Sequence, residues 1–391
     1  MNTTYNFDEV IERRGTNCVK WDDSKDEVLP MWVADMDFRA ATPITEALQR
    51  RMAHGVFGYA QVPDAYYDAI INWFGRRYNW SIQREEIIYT SGVIPALAAV
   101  LKAVTLPGEK VLVQTPVYNC FFSSITNSGT QVVESPLVEE GDSYVIDFDD
   151  FEQKASDPKV TAFLLCNPHN PAGRVWTEAE LLRMGEICMK HHVTVISDEI
   201  HCELIMHGHR FTPYATLSPQ LRSKAVICNS PTKNFNVAGL HIANIIVSDP
   251  ELRRRIDRVI NINEVCEVNI FGIEALIAAY NECEDWITQL NAYLYENYRA
   301  LRAAFEAELP QMRIKKLEGT YLVWLDVRSI HRSSEEIAQY LEREKKVRVN
   351  SSQLYGAEGF LRINIACPRA LLMQGVGLII EGLRELGALR G

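Results

Sequence analysis

Between residues 84 and 248, seven short apolar runs rich in β-branched residues alternate with stretches of helical periodicity: EEIIYT, KVLVQ, TQVVES, VTAFLLC, VTVISDE, KAVICN and ANIIVS. Strands that are apolar on both faces and separated by helices are best buried in a mostly parallel sheet covered on both sides. The pattern therefore predicts an α/β architecture. In such open sheets, ligands bind in the crevice beyond the carboxyl ends of the strands. Polar residues gather just after these runs, at Ser91 and Gly92, at residues 167–173, at 198–201 and at 230–233.

The flanks read differently. The chain up to about residue 38 is irregular, and after Asp249 it turns to long helices over roughly 250–309. YLVWLDV, a charged helical stretch, GFLRINIAC and a closing helix follow, which together suggest a smaller α+β unit. A chain of 391 residues with 47% hydrophobic side chains can bury cores for more than one domain.

A formal net charge of -11, with no run of Lys and Arg interleaved with aromatics, argues against a nucleic-acid partner. The start MNTTYNFDEV lacks the basic-then-apolar order of a signal peptide, and no apolar run approaches a membrane span, so a cytoplasmic location is expected. The nine cysteines are scattered without a C-x-x-C pair and read as buried reduced thiols. His207 and His209 read as part of a polar loop, with no metal site expected.

The chemistry concentrates in KAVICNSPTKNFNVAGLHIANIIVS, where Lys233 sits on the loop after a buried strand. A lone loop lysine is usually solvated. Here, however, Asp198 ends the run VTVISD and would bring a carboxylate to the same sheet edge. By itself Asp198 could equally cap a helix or bind a metal. An amine paired with a carboxylate at a sheet edge suits a carbonyl cofactor, pyridoxal 5'-phosphate (PLP): the amine anchors the aldehyde and serves as a base, and the acid keeps the ring nitrogen protonated. NPHNPAG, residues 167–173, is a tight turn in which Asn170 can offer its amide to a ring oxygen.

Taken together, these strings resemble the fold-type I PLP enzymes, which share the aspartate aminotransferase fold, over nearly the whole chain. The resemblance implies a large domain with a mostly parallel seven-stranded sheet and a smaller α+β domain. It also implies boundaries: 1–45 packing with the small domain at the active-site entrance, 46–285 binding the cofactor and 286–391 forming the small domain. Lys233, Asp198 and Tyr118 are the implied catalytic residues. Gly92 and Val93 are assigned to the phosphate at a helix N-terminus, joined by the hydroxyls of Ser230 and Thr232. Tyr118 is assigned to ring stacking, Asn170 and His201 to the phenolate oxygen, and Arg362 of LRINIACPR to the substrate carboxylate. Tyr59 corresponds to an aromatic that reaches the cofactor phosphate of a neighbouring subunit, which implies a homodimer with shared sites. Trp32 and Tyr59 are candidates to line the substrate pocket.

LPMWVADMDF, FGYAQVPDAYYDAI, SDEIHCEL and SPTKNFNVAGLHIAN are similar to the MalY/PatB branch, whose members are cystathionine β-lyases and cysteine desulfhydrases. His201 stands where many aminotransferases carry tyrosine, and His241 where they carry a phosphate-binding arginine. His241 itself reads as a satisfied loop residue. The implied reaction is an α,β-elimination that releases a thiol, pyruvate and ammonia from cystathionine or a cysteine-type substrate. An aminotransferase shares the same early steps and is the alternative, with a non-catalytic regulatory relative the third reading. Intact Lys233, Asp198 and Arg362 oppose the last.

Overall fold

The computed structural model describes residues 4–25, 27–264 and 266–388. The seven runs form one sheet: β1 (Ile87–Thr90), β2 (Lys110–Val113), β3 (Gln131–Glu134), β4 (Val160–Cys166), β5 (Thr194–Asp198), β6 (Ala225–Asn229) and β7 (Ala243–Ile246). Their order is β1-β7-β6-β5-β4-β2-β3. All neighbours are parallel except β7, which runs antiparallel to both β1 and β6. The link from β6 to β7 holds only the four-residue helix Pro231–Asn234 and a short 3-10 turn, so the chain returns beside β6 without a crossover helix.

The two-residue side-chain period divides the strands between two cores. Ala162, Leu164 and Cys166 of β4 enter one core, with Val93–Val104 and Pro250–Ile262 packed over them. Phe163 and Leu165 enter the other, against helices that include Asp64–Tyr78 and Ile270–Glu282. After the 25-residue helix Glu284–Glu308 comes a small antiparallel sheet of β8 (Leu322–Asp326), β9 (Asn350–Ser351) and β10 (Phe360–Asn364) in the order β8-β10-β9. Ser334–Lys345 and Arg369–Ala388 pack with it.

The irregular amino-terminal stretch acts as a strap. Its two-residue strand Leu29–Pro30 pairs in parallel with Val347–Arg348. Farther on, the side chain of Asn236 accepts from the Met36 N–H (3.0 Å) and donates to the carbonyls of Met36 and Phe38 (3.0 and 2.8 Å). The strap thus spans from the small sheet to the loop that carries Lys233. The expectation of buried thiols needs one correction. All nine cysteines are free, but Cys18, Cys120 and Cys266 are only half-buried, because they lie in the strap or near helix ends and not on the central strands.

Candidate active site

β1, β2, β4, β5 and β6 end at one edge of the sheet, and residues at or after those ends help to enclose a cavity of about 170 Å³. Lys233, Asp198, His201, Asn170, Tyr118 and Val93 all line it. They arrive from five strand ends, Asp198 and His201 sharing that of β5, which is the placement expected of an open α/β sheet.

Lys233 is the third residue of the one-turn helix Pro231–Asn234 that Ser230 caps. Its Nζ donates to the Ala34 carbonyl at 2.5 Å. Desolvation lowers the lysine pKa below its ordinary value, against the opposing pull of Asp35 and Asp198. A larger neutral fraction makes a better nucleophile and base.

Asp198 is 4% exposed, and one oxygen accepts from the Ile200 N–H at 3.1 Å. Burial pushes its carboxyl up to about 7, with Ile200 and Lys233 opposing only in part. His201 is driven the other way, down to about 3, by burial and by the nearby Lys233 and Arg362. Its imidazole is therefore neutral, and its buried Nδ1 has no partner. The ring stands edge-on to Tyr321, with centroids 6.0 Å apart.

Arg362 of β10 reaches the rim. Its Nη1 donates to Asn170 Oδ1 (3.2 Å) and its Nη2 to the Trp32 carbonyl (2.9 Å), and its guanidinium lies over the Tyr355 ring at 4.7 Å. The group is 4% exposed, and its Nε has no partner. Among the described residues no carboxylate forms an ion pair with it. With its oxygen held by Arg362, Asn170 keeps its amide N–H groups as the available donors.

The opposite end suits an anion. Gly92 caps Val93–Val104 without any side-chain hydrogen bond, and Val93 and Ile94, whose N–H groups have no acceptor within the helix, both line the cavity. These features fit PLP: an amine for the aldehyde, a buried acid for the ring nitrogen, donors for the ring oxygen and a helix N-terminus for the phosphate. The turn that carries Asn170 depends on Gly173, at φ +70°, where a Cβ would meet Leu317 at 3.0 Å.

The class I and II aminotransferase family matches residues 27–378. The chain belongs to that family. It is 41% identical over 385 residues to the cystathionine β-lyase PatB of Bacillus subtilis, covering 97% of this chain and 100% of the relative. Among solved structures of the family, cystalysin from Treponema denticola, which contains a PLP cofactor, has a TM-score of 0.95 and 31% identity, covering 98% of this chain and 100% of its own. The PLP-bound C-S lyase from Staphylococcus hominis, solved with the inhibitor L-cycloserine, has a TM-score of 0.92 and 33% identity, with 97% and 98% covered.

Other expected residues stand elsewhere. Ser230 Oγ donates to the Ile242 carbonyl (2.6 Å), accepts from the Thr232 N–H (3.0 Å) and shares a hydrogen bond with Thr232 Oγ1 (2.7 Å), so both hydroxyls are engaged in holding the lysine turn. Trp32 reaches the site through its carbonyl, because its ring lies under the Arg348 guanidinium (3.8 Å) and its Nε1 donates to Lys20. Tyr59 does not line the cavity and is 94% exposed in the single chain. His241 is exposed, with φ +50°.

Ala34, Ile94, Cys166 and Ile200 line the cavity although sequence reasoning did not single them out. Tyr321 was missed as well, and its hydroxyl donates to the Ala34 carbonyl at 3.0 Å. Ala34 lies inside the quoted string MWVADMDF, and Tyr321 opens YLVWLDV.

Proposed function

We propose that this chain is a PLP-dependent carbon–sulfur β-lyase that splits cystathionine or a related S-substituted cysteine, with water, into a thiol, pyruvate and ammonia. The pairing of Lys233 with Asp198 in one cavity carries the PLP reading, and near-full-length likeness to a cystathionine β-lyase favours elimination over transamination.

Bound there, PLP supplies an electron sink for the pair released when a Cα bond breaks. Lys233 would be its covalent anchor and, as a free amine, the base for the Cα proton. Asp198 holds a proton at the ring nitrogen, and a cationic partner there relieves its own desolvation. Asn170 and His201 would hold the ring oxygen, Tyr118 would stack on the ring, and the N–H groups after Gly92 would hold the phosphate. Arg362 grips the substrate carboxylate with its free Nε and an adjoining Nη.

In this reading residues 1–45 strap the entrance, 46–285 bind the cofactor and 286–391 form the small domain. Met52, Val56, Phe57 and Tyr59 are exposed apolar side chains close together in sequence, which supports a homodimer in which Tyr59 reaches the partner's site. Among the described residues no helix is long and apolar enough to cross a membrane, and a cytoplasmic location accords with that.

The test is incubation of the yellow holoenzyme with L-cystathionine and no keto acid. Equal, catalytic release of pyruvate and free thiol is expected. Absence of pyruvate, with conversion of the cofactor to pyridoxamine phosphate, would instead identify an aminotransferase.

A further inference from the structure

We propose that Tyr321 is a positioning residue for Lys233, acting through the main-chain carbonyl of Ala34. The inference rests on Lys233 being the amine that takes the cofactor. Lys233 Nζ and the Tyr321 hydroxyl both donate to the Ala34 oxygen, at 2.5 and 3.0 Å. A carbonyl oxygen has two lone pairs, so these two donors fill it.

The acceptor is fixed from both sides. Asn364 Nδ2 donates to the carbonyls of Val33 and Asp35 (2.6 and 2.7 Å). Asn350 and Arg362 both donate to the carbonyl of Trp32 (3.1 and 2.9 Å), and the Met36 N–H donates to Asn236. Every residue next to Ala34 is thus tied to the small sheet or to the lysine loop. Tyr321 is fully buried, and burial raises its phenol pKa, so it remains an O–H donor throughout the working pH range.

The free amine of Lys233 exists before the cofactor attaches and again whenever a substrate amine displaces it. In that state the Ala34 carbonyl gives it a defined resting place. By taking one lone pair, Tyr321 aims the carbonyl and divides its negative potential, so the carbonyl supports the ammonium form less strongly. The remaining ionisable groups facing Lys233 are Asp35, Asp198, Arg362 and Cys120, together with the neutral His201. None of them is removed by Tyr321→Phe.

The experiment follows the rate at which apo-protein captures PLP, by absorbance, as a function of pH. The rate tracks the neutral fraction of Lys233. In Tyr321→Phe the whole carbonyl falls to the ammonium, so the midpoint moves up by about half a pH unit and capture at pH 7 slows roughly threefold. Asn364→Ala, which frees the carbonyls on either side of Ala34, loosens the acceptor and moves the midpoint down. Near-ultraviolet circular dichroism verifies that each apo-variant is folded. A midpoint unchanged in both variants, with normal capture by the parent protein, overturns the role of Tyr321 alone. Failure of the parent protein to capture PLP overturns the functional reading and this inference together.

Discussion

Two clusters of buried charge flank residues 34–37, and the protein treats them in opposite ways. Beneath the strap, Lys20 is 1% exposed and Asp37 3% exposed, and they pair at 2.7 Å. Arg13 bridges Asp37 and Asp35 at 2.5 and 2.8 Å, and Trp21 Nε1 donates to Asp37 at 2.8 Å. Burial works against both charges, yet Asp37 and Asp35 raise the pKa of Lys20, and Lys20, Trp21 and Arg13 lower that of Asp37. Across the strap, burial prevails. The carboxyl of Asp198 rises to about 7, His201 falls to about 3, and Lys233 is lowered. The same residue types are charged where the chain supplies their partners and driven towards neutrality where it does not. The first cluster is complete as it stands, whereas the second needs a ligand to complete it.

The largest effect that would sharpen this contrast is catalytic. Lys233→Ala removes base and anchor but little packing, so turnover should fall by about 10⁴-fold or more while the urea midpoint stays close to that of the parent. Pyruvate release near the parental rate would remove Lys233 from the mechanism.

The paired cluster should respond in the reverse sense. Asp37→Ala leaves the buried Lys20 with only the longer contact to Asp35 (3.6 Å), at a cost of about 3 kcal/mol in urea unfolding. Replacing the pair together, Lys20→Met with Asp37→Leu, should recover most of that loss, because neither charge is then stranded. A cost under about 1 kcal/mol for the single change would mean that the cluster is not the structural lock its geometry indicates.

Arg362→Lys comes next. A lysine keeps the charge but loses the fork that grips a carboxylate through two bonds, so kcat/KM for cystathionine should fall by about 10–100-fold, mainly through KM. Stability should change little, since no internal carboxylate depends on this arginine.

The contrast also explains what could be read from sequence. Strands β4, β5 and β6 were legible because each is apolar on both faces, and Asp198, Asn170 and Lys233 because a polar residue directly after such a strand has one place to go. Lys233, Asp198, His201 and Asn170 meet in the cavity for that reason, joined by Tyr118 and Val93 from beyond β2 and β1. Ala34 acts through its carbonyl, which side-chain identity does not reveal, and it lies in a stretch with no period. Trp32 likewise meets Arg362 through its carbonyl, while its ring lies under Arg348. Ser230 has the hydroxyl expected of an anion site but uses it to cap the turn, a competition settled only by the Ile242 carbonyl lying nearby. Tyr59 is 94% exposed in the single chain, and its proposed role would need a second chain.

The smallest effect separates the two carboxylates by sign. Asp37 has a folded pKa below that of the unfolded chain, near 3.9, so its contribution is complete above about pH 4 and is lost as pH falls through the folded value. Asp198 has a folded value of about 7, above the unfolded one, so the folded apo-protein binds the extra proton. Its contribution is complete below about pH 4 and is lost as pH rises towards 7, with a slope on the order of 1 kcal/mol per pH unit. In the apo-protein, Asp198→Asn should therefore flatten the stability profile between about pH 4 and 7, and Asp37→Asn should flatten it only below about pH 4. If the proposed pairing holds, a protonated ring nitrogen in the holoenzyme should restore the charged carboxylate and remove the slope, doing for Asp198 what Lys20 does for Asp37. An Asp198-dependent slope that persists unchanged in the holoenzyme would show that the ring nitrogen is not its partner.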